Sequence, residues 1–399
     1  MKIDRLRVFM SRDKDRPRVI VAMDTDDGIT GWGECYNHGP DLALLPLLDY
    51  LVTFLKGKDP RRIAFLIHFL MQQARFPPGA LGLAAISALD HCMWDISAKA
   101  LGVPVYMLLG GNVRDRVKVY AGLYTAPDPA AARDEMDALQ QQWGITAFKL
   151  SPYRIDIHRN RWGEVVRTSA EYFRQLRETV RSDYELAFDA HAKIFETGQA
   201  MQMANALAPY DPLFFEEPLR PENSEAWGEL KRGTRCTLAT GESLYSRFEF
   251  QRLLAARGCD IIQPDICVVG GLLEMCKIAA LAETHYVTIA PHNPMGPLAT
   301  AINVHFSAAQ TNFRILEYRL PHGPGYVFGT GNNEAARASG PQGAFYVKDP
   351  YLPVDGYLEL RPDRPGWGVE MDEALLCTEA YIHWERKVPI KPDGSTGYA

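Results

Sequence analysis

Leu186-Ala187-Phe188-Asp189, Leu213-Phe214-Phe215-Glu216 and Thr237-Leu238-Ala239-Thr240-Gly241-Glu242 decide how this chain folds. Each is a short apolar run closed by a carboxylate, and the closing acids stand 27 and then 26 residues apart. One strand-plus-helix unit fills such an interval. In a parallel barrel built of these units the carboxyl ends of all strands open on one mouth, so carboxylates at those ends converge there. Three acids placed this way read as a metal cage, and oxygen-only ligands suit Mg²⁺ better than zinc.

Working outward, strand runs alternate with amphipathic helices from Val117 to about Glu317. The predicted strands are Val117 to Leu123, Ala147 to Ser151, Glu185 to Ala190, Leu213 to Glu216, Cys236 to Gly241, Asp260 to Gln263, Val287 to Ala290 and Phe313 to Leu316. Polar residues near the strand ends recur at Asp189, Glu216, Glu242, Asp265, His292 and Glu317, at intervals of 27, 26, 23, 27 and 25. A doubly wound open sheet would not need so regular a repeat. The expected fold is therefore α/β, an eight-stranded β/α (TIM-like) barrel over residues 113–318, with an α+β capping domain formed by the N-terminal region and the C-terminal tail.

Residues 1–112 read as the first part of that cap. A hairpin near Asp13 to Arg16 joins two strands, and a turn at Asp26-Asp27-Gly28 leads into Ile29-Thr30-Gly31-Trp32-Gly33-Glu34. Helices follow from about Pro40 to Ala100. In the one predicted over Ala84 to Leu101, Ile86, Leu89, Met93, Ile96 and Ala100 fall at helical spacing, with Gly102 and Pro104 as stop signals. Residues 319–399 begin as a Gly/Pro-rich connector and then show strand-like runs at Ala344 to Val347 and Tyr357 to Leu360. This tail is expected to return to the capping domain.

Composition narrows the function. The chain has 399 residues, 47% of them hydrophobic and 23% charged, and its net charge of −6 provides no basic face for nucleic acid. Its seven cysteines are scattered, with no Cys-x-x-Cys pair, which fits a reduced, cytoplasmic setting. No uncharged apolar run reaches ~18 residues, so no membrane segment is predicted.

At the mouth, residues i and i+2 of a strand share a face, which groups Asp189 with His191 and Lys149 with Ser151. Glu216 and Glu217 cannot both point inward from one strand, and periodicity does not say which does; Pro218 stops the strand there. Asp265 and His292 close adjacent strands, and a carboxylate so placed can orient a histidine and raise its basicity. Glu317 closes the eighth. Trp32, Tyr36, Asn37 and His38 are the predicted lid residues, whose aromatic and amide groups could contact a substrate. Arg247 and Phe248 are expected to be structural, and His68, His91, His158, His285, His305 and His383 to be packing or surface residues.

The chain resembles the enolase superfamily, in its mandelate-racemase-like group, through Ala88-Leu89-Asp90 to Trp94-Asp95, Phe215-Glu216-Glu217-Pro218, Gly241-Glu242-Ser243, Gln263-Pro264-Asp265 with Gly270-Gly271, and Ala290-Pro291-His292. Within it, Asp189-x-His191, Ser246-Arg247-Phe248-Glu249-Phe250 and Ala290 to Pro297 are closer to the acid-sugar dehydratases. The resemblance implies one Mg²⁺ per subunit on Asp189, Glu216 and Glu242, an Asp265/His292 dyad, a substrate-facing Glu317 and a homo-oligomer. It also implies a carbon-oxygen lyase: His292 removes the C2 proton of an acid sugar such as galactonate, giving an enediolate. His191 then protonates the departing C3 hydroxyl, yielding a 2-keto-3-deoxy acid, with Glu317 donating a hydrogen bond to the substrate carboxylate and Lys149 adding positive charge. Racemases of the group carry Lys-x-Lys on the second strand, whereas this chain has Lys149-Leu150-Ser151. An epimerase or lactone cycloisomerase of the same superfamily is the alternative.

Overall fold

A computed structural model describes every residue except 14–15, 37–38, 74, 124–125, 127, 321–345, 379, 384–386 and 399. Three antiparallel strands open the chain, β1 (Ile3–Asp13), β2 (Arg16–Thr25) and β3 (Thr30–Cys35), in the order β1-β2-β3. Helices α1 (Leu44–Val52), α2 (Ile63–Met71) and α3 (Gly79–Leu101) complete this cap. Contact between α3 and β3 is so close that a Cβ on Gly31 or Gly33 would fall 2.1 Å from the carbonyl oxygens of Cys92 and Ala88. Gly102 ends α3 in the left-handed conformation, at φ 70°. The helix starts five residues before the predicted Ala84, because its first turn carries no polar cap for a pattern to register.

A short helix, α4 (Val105–Leu108), leads into the barrel. Its elements alternate as β4 (Arg116–Leu123), α5 (Pro129–Trp143), β5 (Ala147–Leu150), α6 (Trp162–Thr179), β6 (Glu185–Asp189), α7 (Thr197–Leu207), β7 (Pro212–Glu216), α8 (Ser224–Arg232), β8 (Leu238–Thr240), α9 (Arg247–Ala255), β9 (Ile261–Ile262), α10 (Leu272–Thr284), β10 (Thr288–Ile289), α11 (Pro297–Ala309) and β11 (Leu316–Tyr318). β4 to β11 form one curled parallel sheet in which β11 pairs with β4, and a parallel bridge from Ile289 to Phe313 joins β10 to the approach to β11. The barrel is thereby closed, as the strand repeat predicts. β11 lies three residues later than the predicted Phe313 to Leu316, because its register is set by Val119 to Ala121 of β4. No local pattern encodes that pairing.

Tyr120, Ala147, Ala187, Leu213, Phe214, Ala239, Ile261, Ala290 and Ile315 fill the barrel interior. Alanines on four of the eight strands leave room for the edge-on pair of Tyr120 and Phe214, whose ring centroids are 5.6 Å apart. Burial of each large side chain here contributes roughly 1.5–3 kcal/mol.

Residues 321–345 lie outside the described residues, and with them Ala344 and Phe345 of one predicted run. β12 (Tyr357–Glu359) pairs antiparallel with Arg116 to Lys118 of β4, so this run extends the barrel sheet. Trp367 then docks on the cap: its backbone N–H donates to Asp95 Oδ1 at 3.1 Å and its indole N–H to the Trp32 carbonyl at 3.0 Å. Two more cap acids reach the barrel. Asp90 accepts from Leu272 N at 2.7 Å at the start of α10, and Glu34 accepts from Gly296 N and Ala299 N at 2.9 and 3.0 Å at the start of α11. These carboxylates satisfy helix N-terminal donors that would otherwise be orphaned. No helix among the described residues is long and apolar enough to cross a membrane.

His305 on α11 is buried between Tyr106 and Trp367, and its Nδ1 accepts from Tyr106 N at 3.2 Å. Burial pushes its pKa down to about 4, so the folded protein holds it neutral. The unfolded chain takes up a proton near pH 6.5, which places the loss of stability between about pH 6.5 and 4. We expect about 3 kcal/mol of stability to disappear across that window through this residue, and His305→Gln to flatten the profile. Denaturant titrations at pH 7, 5.5 and 4.5 check this; equal pH slopes in both proteins would refute it.

Candidate active site

The two-residue period of the strands decides what reaches the mouth. Ala147, Ala187, Phe214, Ala290 and Ile315 are interior, and two residues beyond them stand Lys149, Asp189, Glu216, His292 and Glu317. Phe214 inside places Glu216 inside and turns Phe215 toward the helices. Glu217 is nevertheless just as buried. Its φ of 36° breaks the alternation, and Thr240 Oγ1 and Ser243 Oγ donate to its carboxylate at 3.4 and 3.5 Å. The expectation that only one acid of the pair turns inward is thus corrected: β7 ends at Glu216, so the strand constraint no longer binds Glu217.

Lys149 is the hub. Its ammonium lies 2.7 Å from Glu216 Oε1, 3.0 Å from Glu317 Oε1 and 3.2 Å from Asp189 Oδ2, with the Tyr120 ring 5.5 Å away. Gln263 Nε2 donates to the other oxygen of Glu216 at 2.7 Å. Burial and then the charge of Asp189 push the Glu216 carboxyl well above its usual range, and Glu242 and Glu317 add to this against Lys149. Burial works in the same direction on Asp189, but His191 and Lys149 outweigh it and hold its carboxyl down to about 2.

Glu242 follows Gly241, which sits at φ 126°, and its Oε2 is 3.4 Å from His292 Nε2. On the other side of the ring, His292 Nδ1 meets Asp265 Oδ2 at 2.9 Å, and Asp265 Oδ1 accepts from Cys267 N at 2.7 Å. Both residues lie just past their strands, joined by a parallel bridge. Asp265 therefore fixes the imidazole with Nε2 toward the mouth. Burial alone would lower the His292 pKa, yet Glu242 first and the Asp265 bond second raise it to about 10.

His191 reaches the mouth by a different route from the one the strand period suggests. β6 stops at Asp189, and His191 and Ala192 turn back at φ 50° and 54°. The turn brings His191 N to 2.8 Å from Asp189 Oδ1 and its Nε2 to 3.2 Å from Oδ2, with the ring 39% exposed. Ser151, half-buried just past β5, accepts from Tyr153 N at 3.3 Å. Glu317 accepts from Asn293 N at 2.9 Å. Burial raises its pKa, but Lys149 and then His292 reverse that and leave it below the usual range. Lys149 thus lies on one Glu317 oxygen at 3.0 Å and the Asn293 N–H on the other.

Of the four predicted lid residues, the structure describes Trp32 and Tyr36. Trp32 lies within β3 with its N–H on Asp95 Oδ2 at 3.0 Å and its ring 5.9 Å from that of Phe9. It is a buried residue of the cap, because its strand partner Ala22 and the docked Trp367 enclose it. Tyr36 is partly buried where the cap and barrel cores meet, and Asn37 and His38 lie outside the described residues. Sequence reasoning weighed Glu217 only as an alternative to Glu216 and gave Gln263 and Asn293 no role; a polar residue two positions beyond an interior apolar one, as Gln263 follows Ile261, was the available signal.

The oxygen-only donors Asp189, Glu216 and Glu242 suit a hard divalent cation. Like-charge repulsion on Glu216 from Asp189, Glu242 and Glu317 is the strain such an ion would relieve. Among the described residues no three His, Cys, Asp or Glu side chains are drawn together tightly enough to hold a metal as they stand. The Lys149 ammonium takes up part of that charge, lying among Asp189, Glu216 and Glu317.

Residues 6–110 match the family model for the mandelate racemase / muconate lactonizing enzyme N-terminal domain, and residues 131–375 match the enolase C-terminal domain-like model. This chain belongs to the enolase superfamily. It is 35% identical over 404 residues to a D-galactonate dehydratase of Xanthomonas oryzae pv. oryzae (strain PXO99A), with 99% of each chain covered. A D-galactonate dehydratase of Ralstonia nicotianae is likewise 35% identical, over 405 residues and 99% of each chain. Among solved structures, an enolase from Agrobacterium radiobacter is 71% identical over the full length of both chains with a TM-score of 0.95; its assignment as a galactarate dehydratase is provisional, and it was solved with sodium and L-malate. Within the superfamily this chain is an enzyme of the hydro-lyase class.

Proposed function

We propose that this enzyme is a Mg²⁺-dependent dehydratase of a six-carbon acid sugar, converting it to the 2-keto-3-deoxy acid. The observation that carries the reading is the placement of two histidines of different character around one carboxylate cluster, a buried one locked on Asp265 and a half-exposed one on Asp189. The 71% identical Agrobacterium protein makes the diacid galactarate the first candidate substrate, ahead of galactonate. Mg²⁺, when bound to Asp189, Glu216 and Glu242, would supply positive charge to the substrate carboxylate and draw Glu242 away from His292.

The chain's own residues then divide the work. His292 Nε2 takes the C2 proton, and Asp265 holds the resulting imidazolium through Nδ1–H. Lys149 contributes charge beside the developing enediolate, while ionised Glu317 keeps Lys149 and the Asn293 backbone in place. His191 delivers a proton to the C3 hydroxyl as the carbon–oxygen bond breaks, water leaves, and the enol tautomerises to the keto acid. Ser151, where racemases of the group carry the second lysine of Lys-x-Lys, removes the lysine base from that position. Among its relatives' reactions, dehydration fits this asymmetry better than racemisation.

Incubating the enzyme and Mg²⁺ with a panel of aldaric and aldonic acids, then assaying with semicarbazide, tests the reading. Keto acid is the expected product; solvent deuterium at C2 with no keto acid from any compound would point to epimerisation instead. In the same assays His191→Asn should keep C2 exchange and lose dehydration by ~10²- to 10⁴-fold, the usual worth of a positioned proton donor.

A further inference from the structure

The chain's last described residues return to the barrel mouth. Residues 389–397 form a tight hairpin: Ile390 bridges Thr396, Gly397 N donates to the Pro389 carbonyl at 2.8 Å, and Lys391 N donates to the Ser395 carbonyl at 2.8 Å. Gly394 at φ 84° and an Asp393 carboxylate that accepts from Ser395 N close its turn. Beyond it, the Tyr398 ring stacks on Phe195, with centroids 5.6 Å apart and planes 10° from parallel. Arg220, itself paired with Glu222, lies over the same ring at 5.5 Å. His158 Nε2 donates to the Tyr398 carbonyl at 3.2 Å.

These three partners sit on the segments that follow β5, β6 and β7, three of those at the mouth. His158 is nine residues beyond Lys149, Phe195 four beyond His191, and Arg220 four beyond Glu216. The middle loop has most need of support. His191 and Ala192 are two consecutive non-glycine residues in the left-handed region, a conformation that persists only where its surroundings hold it. From below, Ala192 N donates to the Glu217 carbonyl at 2.7 Å, and Ile194 bridges Leu219. From above, Phe195 is 72% exposed, and the ring stacked on it is Tyr398.

We propose that residues 387–398 are a clamp on the rim of the mouth, with Tyr398 as its anchor, and that the clamp positions His191 for the dehydration step. The inference rests on the role given to His191 above. His292 follows β10, four strands away from β6 around the barrel, so the two half-reactions respond differently.

The test compares C2 deuterium exchange with keto-acid formation for the full-length enzyme, a form lacking residues 387–399, Tyr398→Ala and Tyr398→Phe, with His191→Asn alongside. The expected result is a dehydration-to-exchange ratio roughly 10- to 100-fold lower in the shortened form and Tyr398→Ala, and restored in Tyr398→Phe, which keeps the stacked ring. An unchanged ratio in Tyr398→Ala, or exchange and dehydration falling together, would overturn the clamp. If His191→Asn loses dehydration while Tyr398→Ala does not shift the ratio, the clamp fails and the dehydratase reading stands. If His191→Asn dehydrates normally, the role of His191 falls and the clamp falls with it.

Discussion

His292→Asn should lose C2 proton exchange and keto-acid formation together, each by at least ~10³-fold. Asparagine is close in size to the ring it replaces, and its amide can still donate to Asp265 Oδ2, which now receives Nδ1–H at 2.9 Å. The substitution therefore removes the base while leaving the Asp265 side chain satisfied, and no buried unpaired carboxylate complicates the result. Nothing else on that face can take over. Glu242, the neighbour at 3.4 Å, is a proposed metal ligand, and Lys149 is engaged by three carboxylates. Proton NMR in D₂O follows exchange directly, and retention of exchange in the variant would remove His292 from its role.

Lys149→Met should cost stability as well as activity, on the order of 3–5 kcal/mol when measured in a chelator. The ammonium is almost fully buried and lies within 3.2 Å of Asp189, Glu216 and Glu317. Methionine keeps the volume and removes the charge, leaving three acids to repel one another in a dry site. Burial and its neighbours already push Glu216 upward, so the variant protonates there first. Mg²⁺ should then raise the melting temperature of Lys149→Met more than that of the parent, because in the variant the ion supplies charge the lysine no longer brings. Equal stability of the two proteins in chelator would show that these carboxyls are not ionised as drawn.

Most of this was legible in the chain because barrels are repetitive. Apolar runs followed by acids at near-constant intervals announce strand ends, and strand ends in a parallel barrel share one mouth. His292 could be named before any coordinates as a polar residue closing a strand, whereas Glu216 was chosen over Glu217 by the family resemblance; in the structure each lies two positions beyond an interior residue, Ala290 and Phe214. Where backbone leaves the strand, the period of two no longer applies. Glu217 and His191 both enter the site through left-handed residues, at φ 36° and 50°, which neither residue's identity foretells. Trp32 failed as a lid residue for a related reason: its aromatic character is used against Phe9 and beneath Trp367, a residue 335 positions away.

By itself the sequence determined the architecture and the oxygen-rich chemistry of the mouth, because these follow from local periodicity and from residue types at strand ends, while its motifs carried the resemblance to the superfamily. Only the tertiary structure decided the electrostatics and the supports. It showed Lys149 as the cation among the carboxylates, Glu317 held between Lys149 and the Asn293 backbone, Asp90 and Glu34 of the cap as caps of barrel helices, and Tyr398 on the rim beside the His191 loop. The physical reason is one of range. Strand and helix patterns are written within a few residues, whereas charges and stacked rings act through space between segments whose separation along the chain carries no trace of the contact.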